Sequence, residues 1–118
     1  MSKIQIYHNP RWGKSRESVK ILDSSGHDYE IIDYINNPPN PDELKEIAKK
    51  MGLRAKDFIR SREAIFIELN LKTHLDNDIT LFKHMSENPK LIERPIVIKG
   101  DKAVLGRPAE KIKDFLNY

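Results

Sequence analysis

Apolar positions alternate with polar ones at the start of the chain. Lys3-Ile4-Gln5-Ile6-Tyr7 reads as a short strand. The period then changes. Val19, Ile21 and Leu22 give a first helix from about Ser15 to Ser25, and Gly26 is a natural stop just past it. Tyr29, Ile31, Ile32 and Tyr34 read as a second strand. Two strands joined by one helix predict a parallel βαβ unit with a right-handed crossover. A proline-rich loop, Asn36 to Pro41, leads into a well-signalled helix start. Asn40 is the N-cap, Pro41 the first helical residue, and Glu43 closes a capping box. Leu44, Ile47, Ala48 and Met51 share one face, and Gly52 ends the helix. A third helix is expected from Arg62 to about Leu69, with Ile65, Phe66 and Leu69 spaced to pack. A fourth is expected from Asp78 to Glu87, with Ile79, Phe82 and Met85 on one face and Pro89 stopping it.

Pro95-Ile96-Val97-Ile98-Lys99 reads as a third strand. Gly100-Asp101 is a two-residue hairpin turn that calls for positive φ at the glycine. Lys102-Ala103-Val104-Leu105 is a fourth strand, antiparallel to the third. Gly106-Arg107-Pro108 opens a last helix whose Ile112, Phe115 and Leu116 face inward. The order is β-α-β, a run of helices, then β-β-α. It matches an α/β, thioredoxin-like fold with a helical insertion. The expected organisation is a single domain over residues 1–118, with a helical subdomain of about residues 41–90 inserted. An X-Pro bond can be cis at modest cost, and Arg94-Pro95 stands at the entrance to the third strand.

Composition narrows the function. Hydrophobic residues make up 38% and charged residues 33% of the 118, the balance of an ordinary globular protein. A net charge of +3 with interspersed signs is too mild to indicate a nucleic-acid binder. Cysteine is absent, which excludes disulfides, thiol catalysis and cysteine-ligated metals. His8, His27, His74 and His84 lack the spacing of a metal site, so none is expected. The chain shows neither a signal peptide nor an 18-residue apolar window. The plain expectation is a cytoplasmic protein with no membrane or direct nucleic-acid partner.

The candidate chemistry sits in Tyr7-His8-Asn9-Pro10-Arg11-Trp12-Gly13-Lys14-Ser15-Arg16, between the first strand and the first helix. Unpaired N–H groups and the helix dipole favour an anion at such a junction. Four cationic or titratable residues, His8, Arg11, Lys14 and Arg16, point the same way. The plainer roles are a backbone-satisfied histidine for His8, a helix N-cap for Ser15, and separate ion pairs for Arg60, Arg94 and Arg107.

This loop, with Ile59-Arg60-Ser61, Glu93-Arg94-Pro95-Ile96 and Gly106-Arg107-Pro108, resembles the ArsC family over essentially the whole chain. The family comprises glutaredoxin-coupled arsenate reductases, with the YffB and Spx proteins as relatives. The resemblance implies the thioredoxin-like fold and a cis proline at Pro95. It implies a catalytic cysteine at the position of Trp12, with His8 and Ser15 lowering its pKa. Arg60, Arg94 and Arg107 would hold the oxyanion, whether arsenate, phosphate or sulfate. Glutathione and glutaredoxin would serve as co-substrates only, with no bound cofactor. Trp12 is the departure that matters. Arsenate reduction needs a two-electron donor, which sulfur supplies through a disulfide and indole does not. Ser15 could only form an oxygen ester, which returns to arsenate.

Three readings stay open. The chain is an arsenate-reductase-like pseudoenzyme that binds an oxyanion or a protein partner, with Trp12 plugging the pocket or anchoring an interface. Alternatively it is a Spx-like, redox-blind regulator, with Trp12 and Ser15 in place of the Cys-x-x-Cys switch. The last is a glutaredoxin-dependent reductase whose cysteine codon reads as tryptophan, one base away.

Overall fold

The computed structural model describes residues 4–8, 13–106 and 110–116. The chain divides into two compact units, one of Met1–Tyr34 with Arg94–Tyr118 and the other of Ile35–Glu93.

The first unit is built on a four-stranded sheet in the order β2-β1-β3-β4. Strand β1 (Ile4–Tyr7) pairs in parallel with β2 (Tyr29–Ile32), and helix α1 (Gly13–Ser25) makes the crossover. β1 also pairs antiparallel with β3 (Ile96–Lys99), in the register Ile6↔Val97 and Tyr7↔Ile96. β3 turns into β4 (Lys102–Leu105) through Gly100, whose φ of 63° is the left-handed value the turn requires. Helix α5 (Glu110–Leu116) closes the unit. Leu22 of α1 and Ile112, Phe115 and Leu116 of α5 cluster with Ile4, Ile6 and Val97 of the sheet. Ile6, Leu22, Val97 and Ile112 are completely buried, and each such side chain contributes about 1.5–3 kcal/mol over an exposed one. On the other face Tyr7, Ile96 and Ile98 are buried, and Tyr7 stacks on Tyr34 with ring centroids 6.1 Å apart.

The second unit is helical. In α2 (Pro41–Met51) the Asn40 side chain accepts from the Glu43 N–H at 2.8 Å, and the Asn40 N–H donates to Glu43 Oε1 at 3.2 Å. Gly52 ends the helix in the left-handed region at φ 68°, its N–H on Lys49 O. Leu44, Ile47 and Ala48 of α2 are buried, and α2 packs on α4 (Asp78–Glu87). Phe58 and Phe82 meet with centroids 6.3 Å apart.

Several boundaries differ from the sequence reading. β2 stops at Ile32, two residues short of Tyr34, and α1 begins at Gly13. α3 covers only Ala64–Glu68, because Glu63 is an extended N-cap and Asn70 takes a left-handed φ of 54° just beyond the end. Three single turns of 3-10 helix, Ala55–Asp57, Leu71–His74 and Pro89–Leu91, left no periodic signal. The apolar face of α4 also needs correction. Ile79 is 83% exposed, whereas Leu81, Phe82 and Met85 are buried. At about 100° per residue, Ile79 points about 110° away from the centre of that buried face. The i, i+3, i+6 spacing had caught two core residues and missed Leu81. Among the described residues no helix is long and apolar enough to cross a membrane.

Candidate functional site

The site is assembled at the C-terminal end of β1. His8 follows directly on that strand, and its N–H donates to Ile32 O at 3.1 Å. The parallel register Tyr7↔Ile32 therefore continues beside Asp33, and the antiparallel ladder runs out at Tyr7↔Ile96. Arg94 and Pro95 lie just off the same end of β3. The Arg94–Pro95 bond is cis. Gly106 donates its N–H to Pro95 O at 2.8 Å, which ties the end of β4 to the start of β3. A Cβ at Gly106 would lie 2.6 Å from Ile112 Cδ1 and 3.0 Å from Pro95 Cγ, so this approach excludes a side chain.

His8 is 6% exposed, and its Nδ1 has no hydrogen-bond partner among the described residues. Burial pushes its pKa below the ordinary value, and the Asp33 carboxylate opposes that shift. The imidazole is therefore neutral at pH 7. Arg94 is 7% exposed, a buried guanidinium with a planar fork of N–H donors. A neutral imidazole and a buried guanidinium at one sheet end can bind and orient a tetrahedral oxyanion. They cannot supply electrons. Among the described residues no group of three or more His, Cys, Asp or Glu is placed to hold a metal.

The remaining candidates are placed as follows. Arg60 belongs to the helical unit, where its Nη1 lies 3.3 Å from Glu63 Oε1 and its Nε 3.8 Å from Glu93 Oε1. Trp12 and Arg107 lie outside the described residues, as does the side chain of Ser15. The sequence reading gave no role here to Asp33 or Glu63, and no partner to Tyr7 or Glu93. Asp33 was legible once β1 and β2 were taken as parallel, since it follows β2 as His8 follows β1. Glu63 was legible as an i+3 partner of Arg60. The Tyr7–Tyr34 stack and the Glu93 pairing come from tertiary contacts and carried no local signal.

A four-stranded sheet built from a β-α-β and a β-β-α unit defines a thioredoxin-like fold. The ArsC family profile matches residues 7–115, and the chain belongs to the ArsC family. It is 41% identical over 118 residues to an arsenate reductase of Neisseria meningitidis serogroup A, covering 98% of this chain and 100% of the relative. An arsenate reductase of Haemophilus influenzae is 41% identical over 114 residues, covering 96% and 98%. Among solved structures, an arsenate reductase from Vibrio cholerae superposes with a TM-score of 0.90 at 39% identity, covering 95% of this chain and 96% of that one.

Proposed function

We propose that this chain is an arsenate-reductase-like pseudoenzyme: it binds a tetrahedral oxyanion at the β1 end of the sheet and does not itself reduce arsenate. The observation that carries this reading is the absence of cysteine from all 118 residues of a chain similar to arsenate reductases along its length. Conversion of As(V) to As(III) takes two electrons. In a thiol route a thiolate forms an S–As bond with loss of water. A second thiol then attacks that sulfur, a disulfide forms, and arsenite leaves. With Trp12 at the cysteine position, neither the first bond nor a protein disulfide can form. The buried guanidinium of Arg94 and the neutral His8 support retention of the binding half of the site. Arg107 follows Gly106 directly and is assigned to the same anion.

The test has two arms. The purified protein, given arsenate, glutathione and glutaredoxin, is expected to produce arsenite no faster than the mixture without it. A rate above that background overturns the pseudoenzyme reading. Trp12→Cys is expected to gain glutaredoxin-dependent reduction, because the position of the family's cysteine would then carry a thiol. A well-folded variant that gains no activity and binds no sulfate overturns the retained anion site.

A further inference from the structure

Helices α1 and α5 lie side by side on one face of the sheet, since Leu22 of the first and Ile112, Phe115 and Leu116 of the second cluster with Ile4 and Ile6. Their directions follow from the strand order. α1 runs back from the end of β1 to the start of β2, which is parallel to β1. β4 is antiparallel to β3, and β3 to β1, so β4 runs with β1. α5 follows β4 and packs back on it. Both helices therefore run against β1 and with each other.

Between them is an open groove of about 520 Å³. Ile21, which packs against the core, and the buried Leu116 give it an apolar floor. Glu17 and Lys20 of α1 and Glu110 and Lys113 of α5 also line it. All four are exposed, and among the described residues no ion pair engages any of them. On each helix the acid precedes the base by three residues, about 4.5 Å along the axis. Because the helices are parallel, both acids lie toward one end of the groove and both bases toward the other. An occupant that complements it presents two rows of charge in the reverse order. A second copy turned end over end does so. A two-fold axis across the groove sets Glu17 against Lys20 of the second copy, and Glu110 against its Lys113. A two-fold contact is isologous, so each pairing occurs twice. The other two-fold, along the helices, sets Glu17 against Glu110 and Lys20 against Lys113, and like charges repel.

We propose that the α1–α5 groove is a self-association surface, on which a second copy of this chain docks antiparallel through Glu17–Lys20 and Glu110–Lys113 pairs. A small dipolar ligand would match one row of these charges, whereas a second copy matches both. Exposed pairs are worth about two- to fivefold in affinity each, so the dimer is weak and sensitive to salt. This surface is independent of the oxyanion reading.

Sedimentation equilibrium of the full chain reads the Kd at about 0.02 M and about 0.5 M salt, between which the Debye length falls from about 20 Å to about 4 Å. Four proteins are compared. These are the parent, Glu17→Lys with Glu110→Lys, Lys20→Glu with Lys113→Glu, and Glu46→Lys with Glu87→Lys. The last makes the charge change of the second at exposed positions of α2 and α4. Circular dichroism confirms folding of each. The parent and the α2–α4 variant are expected to dimerise at low salt and to weaken at least about tenfold at high salt. In each groove variant all four pairs become repulsive, and self-association is expected to weaken by about a hundredfold. An equimolar mixture of the two groove variants restores opposite charges at every pairing, and is expected to dimerise within about tenfold of the parent. A parent that stays monomeric at about 1 mM in low salt overturns the proposal. Groove variants that dimerise like the parent overturn it by moving the contact to another face. An equal loss in the α2–α4 variant reduces it to net charge, and a mixture that stays monomeric refutes the pairing.

Discussion

Replacing Gly106 by alanine tests the packing of the chain after β4 against Ile112 of α5 and Pro95. The added methyl would lie 2.6 Å from Ile112 Cδ1, 2.9 Å from Ile112 Cγ1 and 3.0 Å from Pro95 Cγ. Ile112 has no exposed surface, so its terminal methyl has no open space to swing into. Overpacking of this kind costs about 1–3 kcal/mol. Stiffening the unfolded chain returns about 0.4–1 kcal/mol of that. The net expectation is a loss of about 1–2 kcal/mol, seen as a urea midpoint lowered by about 0.5–1 M. The Gly106 N–H to Pro95 O bond at 2.8 Å resists relief by backbone drift. The contact is assigned to one atom by a double-mutant cycle with Ile112→Val, which removes Cδ1. That substitution alone costs about 0.5–1.5 kcal/mol. In its background the Gly106→Ala penalty is expected to shrink by about 1 kcal/mol, a coupling well above the additivity limit. Far-UV circular dichroism during urea titration of the four proteins supplies the data. A Gly106→Ala loss below about 0.3 kcal/mol, or equal losses in both backgrounds, would falsify the packing account.

His8 supplies a pH signature. Its folded pKa lies below the ordinary 6.5 because of burial, so the unfolded chain binds more protons as pH falls through that range. Stability from this group is complete above pH 6.5 and is lost as pH falls below it. His8→Asn should therefore lose less stability than the parent between pH 7.5 and 5.5, and parallel urea-midpoint curves would contradict the burial argument. On α4, Ile79→Gln is expected to change stability by less than about 0.5 kcal/mol, whereas Met85→Ala, at a position with no exposed surface, is expected to cost about 2–5 kcal/mol. Thermal melts of the two variants decide this, and a costly Ile79→Gln would refute the assigned face.

Much of the fold was legible because local and tertiary signals agreed. The Asn40–Glu43 capping box and the Gly52 stop could be read residue by residue, since caps are local chemistry. The β3–β4 hairpin was legible through Gly100, and the parallel βαβ unit through its period change. Ile79 shows the limit. Three-residue spacing alone drifts around a helix, and only the neighbours of α4 determine which apolar residues are buried. The site divides in the same way. His8 and Arg94 could be singled out from sequence, but the orphaned Nδ1 of His8 and the carboxylates flanking Arg60 depend on residues far apart in the chain. Strand pairing and burial create those features, and neither leaves a local trace.

β2 ends and β3 begins at the same end of the sheet, because β1 lies between them, parallel to one and antiparallel to the other. The 35–93 segment therefore leaves and re-enters across a gap of two strand spacings, about 10 Å. Such a gap is a seam that a linker of a few residues can span. Everything spliced between Tyr34 and Arg94 is interchangeable as far as strand order is concerned. Its length can vary without changing the strand order β2-β1-β3-β4.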